Sequence, residues 1–144
     1  MAKIVVGVDG SDPAHTALRF AIQEAELRKA RLRVISAWEL PVDLGELPSP
    51  DGTFDRPRRD AEEIAATAAA IVEAEAPDVD VERLTLEGQL GSVLLEHSAD
   101  ASLLVVGSRG RGIVAGLLLG SVSHEVVHKA PCPVVVVPHE DSSE

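Results

Sequence analysis

The stretch Lys3-Ile-Val-Val-Gly-Val-Asp-Gly-Ser-Asp-Pro13 holds a strand, a turn and a helix start. Lys3–Val8 (KIVVGV) is an apolar, β-branched run without polar alternation, the pattern of a strand buried on both faces. Asp9-Gly10-Ser11-Asp12-Pro13 closes it, with Asp12 read as a helix N-cap and Pro13 as the first helical residue. The helix is expected to run to about Ala30, with Ala14, Ala17, Leu18, Ala21, Ile22, Ala25 and Leu27 on its inner side.

The same alternation continues outward. Leu32–Trp38 reads as a strand, Glu39–Pro57 as a long polar loop and Arg58–Ala76 as an Ala/Glu-rich helix ended by Pro77-Asp78. Val81–Leu86 alternates apolar and charged residues, as an edge strand with one wet face does. Ser92–Ser98 is a short helix, Ser102–Val106 a buried strand, Ser121–Ala130 a helix and Pro133–Val137 a last strand. Strict β-α alternation implies a parallel sheet with right-handed crossovers and helices on both faces. Ligands in such sheets bind beyond the carboxyl ends of the strands, where the strand order reverses. If the first and fourth strands are neighbours, the turns at Val8–Ser11 and Gly107–Gly112 face each other there.

Composition narrows the function classes. A length of 144 residues suits one domain, and 45% hydrophobic content with 2% aromatic content means a core of Val, Leu, Ile and Ala. A net charge of −11 repels phosphate backbones, so nucleic acid is not an expected partner. The single cysteine, Cys132, excludes an intrachain disulfide and suits a reducing compartment. With no signal-peptide core and no apolar run of about 20 residues, the expected location is cytoplasmic and no membrane partner is expected.

The residues after the fourth strand are Gly107-Ser-Arg-Gly110-Arg-Gly112-Ile-Val-Ala-Gly116-Leu-Leu-Leu-Gly120-Ser121-Val-Ser123. Glycines let backbone approach a ligand, successive N–H groups form an anion-binding concavity, and Ser121, read as a helix cap, starts a helix whose N-terminus aims donors at the same place. Arg109 and Arg111 add cations. Together these suit a polyphosphate, whereas the bland alternative is glycine used merely to turn the chain. Neither common phosphate motif fits. A P-loop needs Lys-Ser/Thr after its last glycine, but Ile113 and Val114 follow Gly112. A dinucleotide fingerprint starts at the end of the first strand of its unit, not three residues past the fourth strand.

The spaced glycines resemble those of the universal stress proteins, whose ATP-binding members carry Gly-x-x-Gly, nine residues, then Gly-Ser/Thr. Gly107-x-x-Gly110 and Gly120-Ser121 match that spacing without a gap. The Val-Gly-Val-Asp9-Gly-Ser11 end of the first strand, VVGSRGRG and the closing APCPVVVVP agree with it. The resemblance implies a single-domain, doubly wound (Rossmann-like) α/β fold with a five-stranded parallel sheet in the order 3-2-1-4-5. The domain would span residues 1–138, with 139–144 a polar tail. It implies that Gly107, Gly110, Gly120, Ser121, Val122 and Ser123 hold phosphates and ribose, with Arg109 beside them. Gly7, Val8, Asp9 and Ser11 would line the crevice, Asp9 near the ribose or a phosphate-bound Mg or Mn ion. Trp38 would touch adenine through its backbone and Val106 would pack on the base, although Trp38 is bulkier than the aliphatic expected there. ATP is the implied cofactor, and pairing of Pro133–Val137 between two copies the implied homodimer.

Other features have rival readings. His124-Glu125-Val126-Val127-His128 matches HExxH on a helix, the zinc-protease pattern, but the rival reading is two solvated histidines, since a third ligand is needed and the sixteen residues that follow hold a strand and a tail rather than a second ligand helix. Arg56, Arg58 and Arg59 read as a solvated helix start or a lid contact for phosphate, and Cys132 as a small core filler. No catalytic residue stands out. The expected function is a dimeric, nucleotide-dependent stress regulator or sensor. The alternatives are a slow ATPase or autophosphorylating enzyme using Ser121 or Ser123, and a nucleotide-independent interaction protein.

Overall fold

In the computed structural model, which describes residues 2–40, 55–109 and 119–139, β1 (Lys3–Gly7) forms the middle of a five-stranded parallel sheet. Ile4, Val5 and Val6 are fully buried because β1 has a strand on each side and helices on each face. The chain continues through α1 (Asp12–Arg28), β2 (Arg31–Trp38), α2 (Arg56–Glu75), β3 (Val81–Glu87), α3 (Leu90–Glu96), β4 (Leu103–Gly107), α4 (Ser121–Lys129) and β5 (Val134–Val137). The strand order is β3-β2-β1-β4-β5, the doubly wound order expected. The order reverses between β1 and β4, which pair directly with Ile4 beside Leu103 and Val6 beside Val105.

One face carries α1 and α2. Ile4, Val6, Leu32, Val34, Leu103 and Val105 meet Ala17, Leu18, Ala21, Ile22, Ala25, Ala68 and Val72 there. Alanines at one-turn spacing let these helices lie close to the β-branched sheet face. The opposite face carries α3 and α4, where Val5, Ile35, Leu104 and Val106 meet Val93, Leu94 and Val126.

Three local expectations are corrected. Asp12 is not the N-cap of α1. Ser11 is, in extended conformation, with its Oγ accepting the Ala14 N–H at 3.2 Å, so Asp12 takes the first helical position. Leu27 does not join the inner stripe but is 78% exposed, because two residues beyond Ala25 is about 200° around the helix. The cap at 120 is also shifted by one residue: Gly120 is the N-cap of α4 and Ser121 the first helical residue.

Candidate functional site

Two strand-to-helix turns meet where β1 and β4 end. On the β1 side, Gly10 adopts φ +82°, a conformation that glycine takes without strain, and it folds Ser11 back towards Asp9. Asp9 Oδ1 accepts the Ser11 N–H at 2.9 Å and the Ser11 hydroxyl at 2.5 Å, while Ser11 Oγ caps α1. The turn is therefore braced by its own side chains, one of which caps α1.

On the β4 side the chain leaves at Ser108 and returns at Gly120, where the Gly120 N–H donates to the Ser108 carbonyl at 2.7 Å. The Ser108 N–H donates to the Val137 carbonyl at 2.9 Å, tying the turn to the end of β5. The Ser123 hydroxyl is buried and lies 3.1 Å from both the Ser108 and Gly120 carbonyls, locking the first turn of α4 onto the β4 turn. The cap of α4 is glycine, with no side-chain cap hydrogen bond. The first turn of a helix leaves N–H donors and a partial positive charge for an outside acceptor, so this end suits an anion.

Between the turns lies a recess of about 60 Å³ lined by Gly7, Asp9, Ala14, Leu90, Leu94, Val106, Gly107, Arg109, Gly120, Ser121, Val122 and Ser123. Gly7, Asp9, Val106, Gly107, Arg109, Gly120, Ser121, Val122 and Ser123 are thus brought together. Val8 and Ser11 instead line a larger groove of about 380 Å³ between α1 and α2. Trp38 ends β2 outside the recess lining, its carbonyl accepting the Gly88 N–H at 2.8 Å. Gly110 lies outside the described residues.

Arg109 is the cation of the recess, and its guanidinium donates to the His139 carbonyl at 2.9 Å. His139 Nδ1 lies 2.8 Å from Thr16 Oγ1, so the residue after β5 and Pro138 bridges the β4 turn and α1. Sequence reading missed Ala14, Leu90 and Leu94. The available signal was the i, i+4 apolar spacing of Leu90 and Leu94, but only the β3-to-β4 crossover brings that helix to the end of β1.

The glycines divide by role. A Cβ on Gly107 would stand 2.8 Å from the Pro13 carbonyl oxygen, and one on Gly7 would stand 2.7 Å from Leu94 Cδ1. Gly107 is therefore required by the close approach of backbone at the start of α1, whether or not a ligand binds, whereas at Gly7 the neighbour is the end of a flexible Leu94 side chain that can shift. Arg58 and Arg59 pair locally with Asp55, and Arg58 also with Glu62, as a solvated helix start does.

A doubly wound sheet with an anion-suited helix end at its switch point defines a class of small-molecule-binding α/β domains. Residues 1–138 match the model of the universal stress protein family, and the chain belongs to that family. It is 40% identical over 135 residues to the universal stress protein Rv2005c of Mycobacterium tuberculosis, covering 94% of this chain and 45% of the relative. The chain thus spans about half the length of the curated relatives it matches. Among solved structures, a universal stress protein in complex with cAMP superposes with a TM-score of 0.74 at 29% identity, covering 97% of this chain and 98% of the other. The universal stress protein from Archaeoglobus fulgidus in complex with dAMP gives 0.72 at 28% identity, covering 95% and 98%. Among the described residues no helix is long and apolar enough to cross a membrane.

Proposed function

We propose that this chain is an ATP-binding universal stress protein domain, cytoplasmic and dimeric, which acts as a nucleotide-dependent regulator in a stress response. The observation that carries the reading is the glycine-capped start of α4, pinned beside Arg109 and lining one recess with Asp9. Related structures hold cAMP and dAMP, so a nucleotide is the ligand class that agrees with this chemistry. Phosphate sits on the N–H groups of Ser121, Val122 and Ser123 and on the Gly107–Gly110 turn, with Arg109 alongside. Val106 packs on the base, and Gly7, Val8, Asp9, Ser11 and Trp38 complete the crevice. Residues 139–144 form the polar tail of the domain.

A carboxylate beside phosphate is repulsive unless a cation or a hydroxyl separates them. Asp9 is a hard oxygen donor lining the recess, which fits Mg or Mn held by one carboxylate and the nucleotide's own phosphates. Such an ion neutralises phosphate charge when bound. No group of three or more His, Cys, Asp or Glu is gathered among the described residues, so the phosphates have to complete the ligand set. Asp9 would hold the ion, while Ser11 fixes the carboxylate through two hydrogen bonds.

Calorimetry with ATP in magnesium buffer tests the reading. Saturable binding is expected, and no heat at high micromolar ATP would overturn it. Binding of cAMP or AMP without ATP would keep the nucleotide site and remove the triphosphate. The homodimer rests on β5, an apolar edge strand of half-buried valines whose open side would seek a partner. A monomeric mass in light scattering at high micromolar concentration would remove that part.

A second reading, slow autophosphorylation, is favoured only at Ser121, which is exposed at the first turn of α4. Ser123 is 1% exposed and its hydroxyl is committed to two carbonyls. Phosphopeptide mapping after incubation with ATP checks this, with modification expected at Ser121 and not at Ser123.

A further inference from the structure

We propose that His124 and His128 form a two-imidazole site for a borderline divalent transition-metal ion on the exposed face of α4. Residues four apart lie on one face of a helix, about one turn from each other. Both histidines are exposed, and their ring centroids are 4.6 Å apart with planes inclined at 42°. A metal–nitrogen bond of about 2.0–2.1 Å puts each ring centre about 3.2 Å from the ion, so nitrogens meeting at about 90–110° hold ring centres about 4.5–5.2 Å apart. The observed separation falls in that range, so the spacing of the two rings is compatible with their sharing one ion.

Glu125 does not belong to the site. Its Oε1 lies over Gly91 of α3, and its Oε2 is 3.7 Å from Lys129 Nζ. The HExxH pattern thus keeps its chelating pair while its carboxylate is turned into the α3–α4 contact, away from the role of hydrolytic base. No further His, Cys, Asp or Glu joins the pair among the described residues, so water or an outside donor fills the remaining positions. Two imidazoles favour Cu²⁺, Ni²⁺ and Zn²⁺ over the oxygen-seeking Mg²⁺ and Ca²⁺. This site does not depend on the nucleotide reading, because it lies on other side chains and takes a different class of ion.

The test is calorimetric titration of the untagged full chain with Ni²⁺, Cu²⁺ and Mg²⁺, without nucleotide. One Ni²⁺ per chain is expected, with Cu²⁺ tighter and Mg²⁺ not bound at this pair. His124→Ala or His128→Ala alone weakens Ni²⁺ binding about a hundredfold, because the second ligand's intramolecular advantage is lost. His97→Ala leaves it unchanged. The double change His128→Ala with Lys129→His keeps the histidine count but breaks the four-residue spacing, and should bind as weakly as His128→Ala. Undiminished binding in that variant, or no saturable Ni²⁺ binding by the unmodified chain at millimolar concentration, overturns the proposal. Circular dichroism of each variant separates ligand loss from unfolding.

Discussion

The turn from β1 to α1 and the turn from β4 to α4 start alike and end differently. Each leaves a strand at a glycine, Gly7 or Gly107, and each delivers the chain to a helix at the same edge of the sheet. The first is closed by its own side chains, with Asp9 holding Ser11 and Ser11 capping α1. The second is closed at its base by backbone and by Ser123, yet its helix cap is a glycine that offers no side-chain acceptor. A helix start that satisfies itself has no use for an anion, whereas one that does not is available to bind one. Under the proposed nucleotide reading, the β1 turn brings a braced carboxylate to the crevice and the β4 turn brings a helix start with no side-chain cap.

Three substitutions and one alkylation measurement test that contrast, beginning with the largest effect. Gly107→Val forces a branched side chain against the Pro13 carbonyl and should destabilise the fold by about 3 kcal/mol, read as a lower urea midpoint. An unchanged midpoint would show that the β4 turn does not press on α1. Next, Gly120→Asp gives α4 the side-chain cap it lacks. Helix stability should rise by a few tenths of a kcal/mol, while ATP affinity should fall about tenfold or more, or about 1.4 kcal/mol, as the new carboxylate occupies the donors. Equal affinity in that variant would place the phosphate elsewhere.

On the closed side, Ser11→Ala removes the cap of α1 and should cost about 1 kcal/mol of stability. If thermal unfolding does not move, side-chain capping is not what closes that helix start. The smallest effect concerns Cys132, just before the strand that anchors the β4 turn through Val137. Burial pushes its thiol above the usual range, with a Ser98 hydrogen bond pulling partly back. A raised thiol pKa leaves less thiolate at a given pH, so alkylation by iodoacetamide should be slower than for a free thiol, with its rise displaced to higher pH. Alkylation as fast as that of a small thiol would mean that the β5 end is less packed than described.

Much of this was legible in the residues. The unbroken apolar runs at Ile4–Val6 and Leu103–Val106 fit strands buried between neighbours, and the alternating Val81–Leu86 run marks the edge where β3 lies, although the equally unbroken Val134–Val137 lies at the other edge. The caps were read one residue late, Asp12 for Ser11 and Ser121 for Gly120, because Ser, Asp and Gly all favour helix starts and the sequence does not show which one holds the extended conformation. Leu27 was placed inside because a leucine beside a stripe looks like part of it, while the helix period turns it outward.

The order of strands and helices, the parallel sheet, and the spacing that sets Gly107-x-x-Gly110 against Gly120-Ser121 were determined by the sequence itself, because periodicity and turn chemistry are local. Tertiary structure decided which residues meet at the crevice. Leu90 and Leu94 reach it only through a crossover, and Gly107 shows its need for small size only once the start of α1 presses on it. Whether a helix start is closed or open is likewise settled by contacts. The same serine-rich vocabulary closes α1 through Ser11, but at α4 it turns Ser123 inward to brace the turn and leaves the helix end to a glycine.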